Sequence, residues 1–335
     1  MKVKKMNKIQ NAFKGMAMGI AEVIPGVSGG TIAFITGIYP KLILTIKSFD
    51  LILVGEIRKD GWNGLKRTID LPFLVSLLCG MVIGLIIGIL GVTYLYEHYP
   101  EPLWGFFFGL IIASSAYIAR IIPKWSLQNI IIGIIGVIVA YGITVVSPAE
   151  GSDSWIYILL SGILAISALI LPGISGSFIL LLLGMYTVII PALKAIIADQ
   201  DFTGLKLVLI FAVGCIIGLA GFSRILHYLF QKYENATLAC LTGFMIGSLN
   251  KIWPWRNPEV IMEKSTGASM NISGAGDLSL LDLKAFKILS EANVLPSDYF
   301  MSSPKTTITI ISLVLGIAVV LLFLWADNKS KRSVS

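Results

Sequence analysis

Two stretches of this chain set glycine and serine inside otherwise apolar sequence: EVIPGVSGGTIAFITGIY at 22–39 and LILPGISGSFILLLLGMY at 169–186. Proline lacks an amide donor and glycine accepts backbone angles that other residues resist, so Pro25-Gly26 and Pro172-Gly173 are each expected to break a helix. The helix that resumes after each break presents unpaired N–H groups at its positive end. Ser28, Gly29, Gly30 and Thr31, and likewise Ser175, Gly176 and Ser177, add hydroxyls and close access to the backbone. That combination suits an anion, a phosphate above all. One copy alone would read as a helix kink relieved by serine hydroxyls; two copies argue for a site. Neither copy matches the Walker loop or a dinucleotide fingerprint, because the lysine and the strand context are missing.

Few ionisable groups accompany these motifs. Glu22 stands three residues before Pro25, and intramembrane carboxylates are costly and usually tied to function, so an ion-pair or proton-coupling role is expected for it. Its counterpart in the second stretch is Leu169, which makes that role asymmetric. Arg224 lies about two-thirds along an apolar segment and is a candidate phosphate ligand, unless it snorkels to the interface. Arg120, at the end of the corresponding segment, is the weaker candidate. Lys47 and Lys194 read as interfacial anchors, and neither His98 nor His227 has a partner set. No metal-ligand spacing or cofactor motif is visible, and Cys79, Cys215 and Cys240 read as packing residues rather than a disulfide framework.

The elements that position these residues follow from composition. The 335-residue chain is 56% hydrophobic and 13% charged, with mean hydropathy +0.85, against about 25% charge in soluble domains, so it is read as a membrane protein. Apolar segments long enough to cross a bilayer occupy 71–97, 103–121, 127–147, 205–231, 236–252 and 306–327; those at 29–49 and 175–198 are also long enough. Segments 10–24 and 155–171 are too short to cross unaided and end at the Pro-Gly pairs. The basic N-terminus before 10–24 resembles a signal peptide, but 155–171 repeats that segment inside the chain, so it is read as structural. The net charge of +7 is spread as basic flanks alternating with acidic loops, a positive-inside pattern with both termini cytoplasmic rather than a nucleic-acid surface.

The likeness of the halves extends past the motifs. Gly37, Tyr39 and Lys47 face Gly184, Tyr186 and Lys194 at an offset of 147, and Gly80, Gly84 and Gly109 face Gly214, Gly218 and Gly243 after a shorter loop. This predicts an all-α polytopic fold of two repeats, 1–126 and 148–252. Each carries a broken, re-entrant helix hairpin and two transmembrane helices, and the halves are joined by a linking helix at 127–147. An odd link between two even units inverts the second, and the basic loop at 49–70 against the acidic one at 199–204 agrees. Inverted repeats around broken helices are transporter architecture, with the site at the repeat interface. A polar, extracytoplasmic stretch at 253–305 follows, in which LSLLDLKAFKIL is compatible with a short interfacial helix, and 306–335 supplies the last helix and a basic tail.

At GMAMGIAEVIPGVSGGTIAFITGIY and LILPGISGSFILLLLGMY the chain resembles the PopT family of polyprenyl-phosphate transporters, from about residue 10 to the last helix. The resemblance implies return of undecaprenyl phosphate, or a similar polyprenyl phosphate, from the outer to the cytoplasmic leaflet of a bacterial cytoplasmic membrane, with membrane lipids as its other partners. It places Glu22, Ser28, Gly29, Gly30 and Thr31 in one signature and Ser175, Gly176 and Ser177 in the other; the 253–305 stretch has no match in it. The nearest rival is an undecaprenyl-pyrophosphate phosphatase, whose similar Pro-Gly-x-Ser motif continues with an arginine. Glycine stands there in both motifs of this chain, and no pair of glutamates stands nearby, so a non-enzymatic reading is preferred. A carrier or channel for small soluble anions and a non-transporting scaffold are the remaining alternatives.

Overall fold

The structure, a computed structural model, describes residues 8–23, 28–49, 51–146, 149, 151–198, 200–263, 269–272, 274 and 285–332. It is mostly helical. α1 (Lys8–Glu22) is followed by the short α2 (Gly29–Ile35) and α3 (Tyr39–Lys47). Residues Gly29 and Thr36, at the two ends of α2, lie against Glu22 and Lys14 respectively, so α2 runs back along α1. The segment at 49–70, expected as a loop, holds α4 (Leu51–Asp60) and α5 (Trp62–Thr68). Three long apolar helices follow: α6 (Leu71–His98), α7 (Pro100–Ile121) and α8 (Leu127–Val145). Asp70 starts α6 by accepting the Phe73 amide, and Ser126 starts α8 by accepting that of Asn129.

The second half repeats this order. α9 (Trp155–Ile170) is followed by α10 (Gly176–Leu182) and α11 (Tyr186–Ala198), then α12 (Leu205–Lys232) and α13 (Glu234–Ser248). α10 turns back along α9, since Gly176 lies against Ala165 while the Tyr157 hydroxyl donates to the Leu183 carbonyl near the other end. α10 and α11 meet at 116°.

The apolar segments at 29–49 and 175–198, each long enough for a single span, are therefore each two helices. The physical cause is the same in both. Gly37 and Gly184 adopt φ of +72° and +66°, and the next amides, Ile38 and Met185, reach back to the Ala33 and Leu180 carbonyls at 3.0 Å. These are Schellman closures, which end a helix with a left-handed glycine.

The long helices pack in pairs at glycines. Gly80 of α6 lies against the Ala12 carbonyl of α1, and Gly214 of α12 against the Leu159 carbonyl of α9. Gly109 of α7 meets Leu313 of α14 (Thr306–Arg332), and Gly243 of α13 meets Gly133 of α8. Close backbone approach through small residues is how helices associate where no hydrophobic drive exists between them. The opposite faces carry large apolar side chains outward, with Leu90 of α6 73% exposed and Val82, Ile86, Ile138, Ile216 and Leu322 also exposed. Such a surface belongs in lipid.

The polar stretch departs from expectation. After a 3₁₀ turn at Leu249–Ile252, β1 (Arg256–Glu263) pairs antiparallel with β2 (Ser269–Asn271) and with β3 (Phe286–Asn293). The second part of the stretch expected as a helix, from Phe286, is strand, because pairing with β1 satisfies its backbone; residues 278–284 lie outside the described residues. The fold is thus helical with a three-stranded sheet added between α13 and α14.

Candidate functional site

The first serine–glycine motif meets the end of α9 and the second Pro-Gly break, and this junction is the candidate centre. Pro25 and Gly26 lie outside the described residues. Beyond them Ser28 caps α2, its hydroxyl accepting the Gly30 amide at 3.0 Å and donating to the Leu169 carbonyl at 3.1 Å. The chain break after α9, at Pro172 and Gly173, comes to the same place: the Gly173 amide donates to the Thr31 hydroxyl at 2.9 Å. Gly30 lies so near the end of α9 that a Cβ there would sit 2.6 Å from the Ile170 carbonyl. Gly173 itself has φ +87° and presses on Phe244 and Met245 of α13, where no side chain fits. Close approach is thus what these glycines provide.

Burial separates the two copies. Every residue of α2 is buried, with Ser28 and Thr31 fully so, whereas in α10 only Gly176 and Leu180 are. Ser175 is buried but makes no cap; its hydroxyl pairs with that of the exposed Ser177 at 2.8 Å. The donors of α2 are occupied from within: Gly29 by the Glu22 carboxylate at 2.7 Å, Gly30 by Ser28. Glu22 is half-buried, and among the described residues no salt bridge engages it. It supplies the negative end that a helix N-terminus favours.

The first half also holds polar groups beyond the serine–glycine pairs, most of them not copied by the repeat. Lys14 of α1 donates to the Thr36 carbonyl at 2.6 Å, across the first hairpin. Asn11 and Tyr39 are buried, and among the described residues Asn11 Oδ1 and the Tyr39 hydroxyl lack hydrogen-bond partners, whereas Tyr186, the counterpart of Tyr39, is exposed. The equivalents of Asn11, Lys14 and Glu22 are Ile158, Ser161 and Leu169. A lysine inside the short apolar run 10–24 was the available signal.

The two arginines stand apart from this centre. Arg224 is exposed, with its guanidinium 3.4 Å from the Ala220 carbonyl of its own helix, and Arg120 is exposed at the end of α7. Among the described residues neither makes a hydrogen bond or ion pair to the described part of either motif. Among the described residues there is also no cluster of three or more histidine, cysteine or carboxylate groups placed to hold a metal.

The polar stretch is fastened to α7 by one carboxylate. Glu101, fully buried, accepts from the Tyr299 hydroxyl at 3.0 Å, from the Ser302 hydroxyl and from the Lys305 ammonium at 3.2 Å. Burial, together with the Glu101 charge, holds the Tyr299 phenol above its ordinary range, so it remains the donor.

Residues 18–270 match the model of a family described as undecaprenyl phosphate translocase-like. The chain is 45% identical over 253 residues to a protein of Vibrio cholerae serotype O1 named polyprenyl-phosphate transporter, covering 76% of this chain and 80% of that one. It is 30% identical over 266 residues to a Staphylococcus aureus protein of the same name, covering 75% and 88%. No solved structure matches it.

Proposed function

The chain belongs to the undecaprenyl phosphate translocase-like family, and we propose that it carries undecaprenyl phosphate, or a similar polyprenyl phosphate, from the outer to the cytoplasmic leaflet of a bacterial cytoplasmic membrane. The observation that carries this reading is the contact between the motifs, with Thr31 accepting the Gly173 amide and Ser28 donating to Leu169. Each of these bonds joins one half of the chain to the other. A movement that parts the halves would release them together, and a phosphate offers the acceptors to replace what the Gly173 amide and the Ser28 hydroxyl lose. The arrangement described here is then the closed one, with its donors satisfied internally.

The helix pairing supports two units of equal make-up, wider than the four-segment repeat read from sequence. α8 packs on α13 where α14 packs on α7, so 127–147 and the last helix are counterparts. Each unit is then read as one turned-back hairpin and three crossings: α6, α7 and α8, or α12, α13 extended by the 3₁₀ turn to Ile252, and α14. Three crossings invert the second unit and return both termini to the cytoplasmic side. Non-helical backbone at membrane depth survives only where protein encloses it, and the burial of Ser28 at the first break and of Pro172 and Gly173 at the second is consistent with that.

A prenyl tail needs only apolar surface. An apolar cavity of about 350 Å³ opens between α1, α6, α7 and α14, lined by Ile20, Leu103, Phe106 and Phe107, two residues along α1 from Glu22. The tail would stay in such a groove or in lipid while the head crosses.

Carriage rather than hydrolysis is the reading supported by the two relatives' names and by the make-up of the junction, which offers an amide and a hydroxyl as anion donors once parted. The test is the purified protein in liposomes carrying undecaprenyl phosphate or its pyrophosphate. Faster exchange of the monophosphate between leaflets, with no inorganic phosphate released from the pyrophosphate, supports transport. Phosphate release without exchange would make the protein a phosphatase.

A further inference from the structure

Beyond the junction, on the side where the sheet lies, the structure gathers charges that no motif announced. The Glu291 carboxylate of β3 receives two cations on the same oxygen, Oε2: Arg256 at 2.7 Å and Lys251 at 3.3 Å. All three are largely withdrawn from solvent, with side-chain exposures of 22%, 11% and 30% for Glu291, Arg256 and Lys251. Each cation lies over an aromatic ring, Arg256 over Trp104 of α7 at 4.7 Å and Lys251 over Phe178 of α10 at 5.0 Å. The neighbouring Glu101 is already matched by Lys305. Among the described residues the cluster therefore keeps one positive charge in excess, and Lys251 and Arg256 each donate a single side-chain hydrogen bond, both to that one oxygen.

Its position matters more than its charge. Phe178 directly follows Ser177 in the second motif, so Lys251 stands over that motif. Met245, against which Gly173 packs, lies six residues before Lys251 on the same stretch of chain, about 9 Å along a helix axis. The cluster thus sits about two turns above the junction of the motifs.

We propose that Lys251 and Arg256 form a receiving site for the phosphomonoester head of the substrate, with Glu291 holding the site in reserve until the anion displaces it. This rests on the transport reading above and adds where the head group binds first. A phosphomonoester carries one to two negative charges and three acceptor oxygens, which fits an ammonium and a guanidinium side by side. The rings of Trp104 and Phe178 fix both cations without neutralising them.

A merely structural cluster would serve to fasten β3 to the 3₁₀ turn, and the Glu291→Gln variant separates the two roles. Removing the internal competitor tightens anion binding at a receiving site, whereas at a fastening it only loosens the fold. The experiment titrates the full-length protein in detergent calorimetrically with farnesyl phosphate and, separately, with inorganic phosphate. Wild type is expected to bind farnesyl phosphate, with Glu291→Gln several-fold tighter, Lys251→Gln about tenfold weaker and Lys251→Arg close to wild type. Melting curves identify any variant that fails to fold, and the Lys251 pair, at the most exposed of the three positions, keeps the comparison open if Glu291→Gln does. Wild-type affinity in folded Lys251→Gln and Glu291→Gln overturns the site while leaving transport standing. Inorganic phosphate binding as tightly as farnesyl phosphate overturns the lipid assignment. A wild type that binds no farnesyl phosphate but does exchange undecaprenyl phosphate removes this site alone; one that does neither removes the transport reading as well.

Discussion

The hydroxyl of Thr31 accepts the amide of Gly173 at 2.9 Å, a bond between residues 142 apart in the chain that joins the two motifs. The closeness of that joint depends on Gly30. An alanine there would place its Cβ 2.6 Å from the Ile170 carbonyl, which is backbone and cannot swing aside. Gly30→Ala is expected to lower stability by about 1–3 kcal/mol, read as a lower melting midpoint in detergent. Gly55→Ala in α4, where nothing lies within 4 Å, is the control and should raise stability by about 0.5–1 kcal/mol through helix propensity. Equal effects of the two changes would contradict the close joint.

Glu22 is expected to act through the Gly29 amide it accepts at 2.7 Å. Glu22→Gln keeps an acceptor there, so stability and leaflet exchange should both stay near wild type. Glu22→Ala leaves the amide unpaired in a buried place and should cost about 1–3 kcal/mol. Loss of exchange in a Glu22→Gln protein of unchanged melting midpoint would show instead that the charge itself is used.

Glu101 ties residues 299–305 to α7. Glu101→Ala strips three donors of one acceptor and leaves Lys305 without its counter-ion. Lys305 is one-quarter exposed, so water softens the loss to about 1–3 kcal/mol. The measurable outcome is faster proteolytic cleavage within 253–305 together with a lower melting midpoint. Unchanged cleavage would mean the strands hold the stretch without this carboxylate.

Orientation can be tested directly on the membrane. In a protein whose Cys79, Cys215 and Cys240 have been replaced, a cysteine at Asp201 should react with an impermeant reagent added outside, and one at Asp60 should not. The two positions stand at equivalent places in the two halves, on 49–70 and 199–204. Equal labelling would rule out inversion of the second half.

The sequence carries the doubled motif openly, because Pro-Gly followed by Ser-Gly has no use inside a continuous apolar helix and recurs at a fixed offset. The second breaks, at Gly37 and Gly184, are less legible. Each is a single glycine in a run whose hydropathy alone fits one long span, and only the left-handed closure decides otherwise. The sheet was hidden because the apolar positions of LSLLDLKAFKIL fit a helix as well as a strand, and the choice is made by β1, some 30 residues earlier in register. Glu101 reads as one more acid in EHYPEP, since Tyr299, Ser302 and Lys305 lie about 200 residues away. Arg224 drew attention by its place along an apolar segment, but helix phase turns it outward, away from the pairing face of α12 that carries Gly214 and Gly218.

The central claim is that a phosphate head passes through the joint between the two motifs. It is tested most directly by leaflet exchange of undecaprenyl phosphate in liposomes containing wild type, Ser28→Ala or Thr31→Val, with melting curves alongside. Thr31→Val keeps the side-chain shape and removes the one hydroxyl that pairs with Gly173. Wild type should speed exchange, and each folded variant should slow it by about tenfold or more, as expected for loss of a hydrogen bond worth about 1.4 kcal/mol or more. Exchange at the wild-type rate by both folded variants would contradict the claim and leave the two motifs as kinks in the helices that carry them.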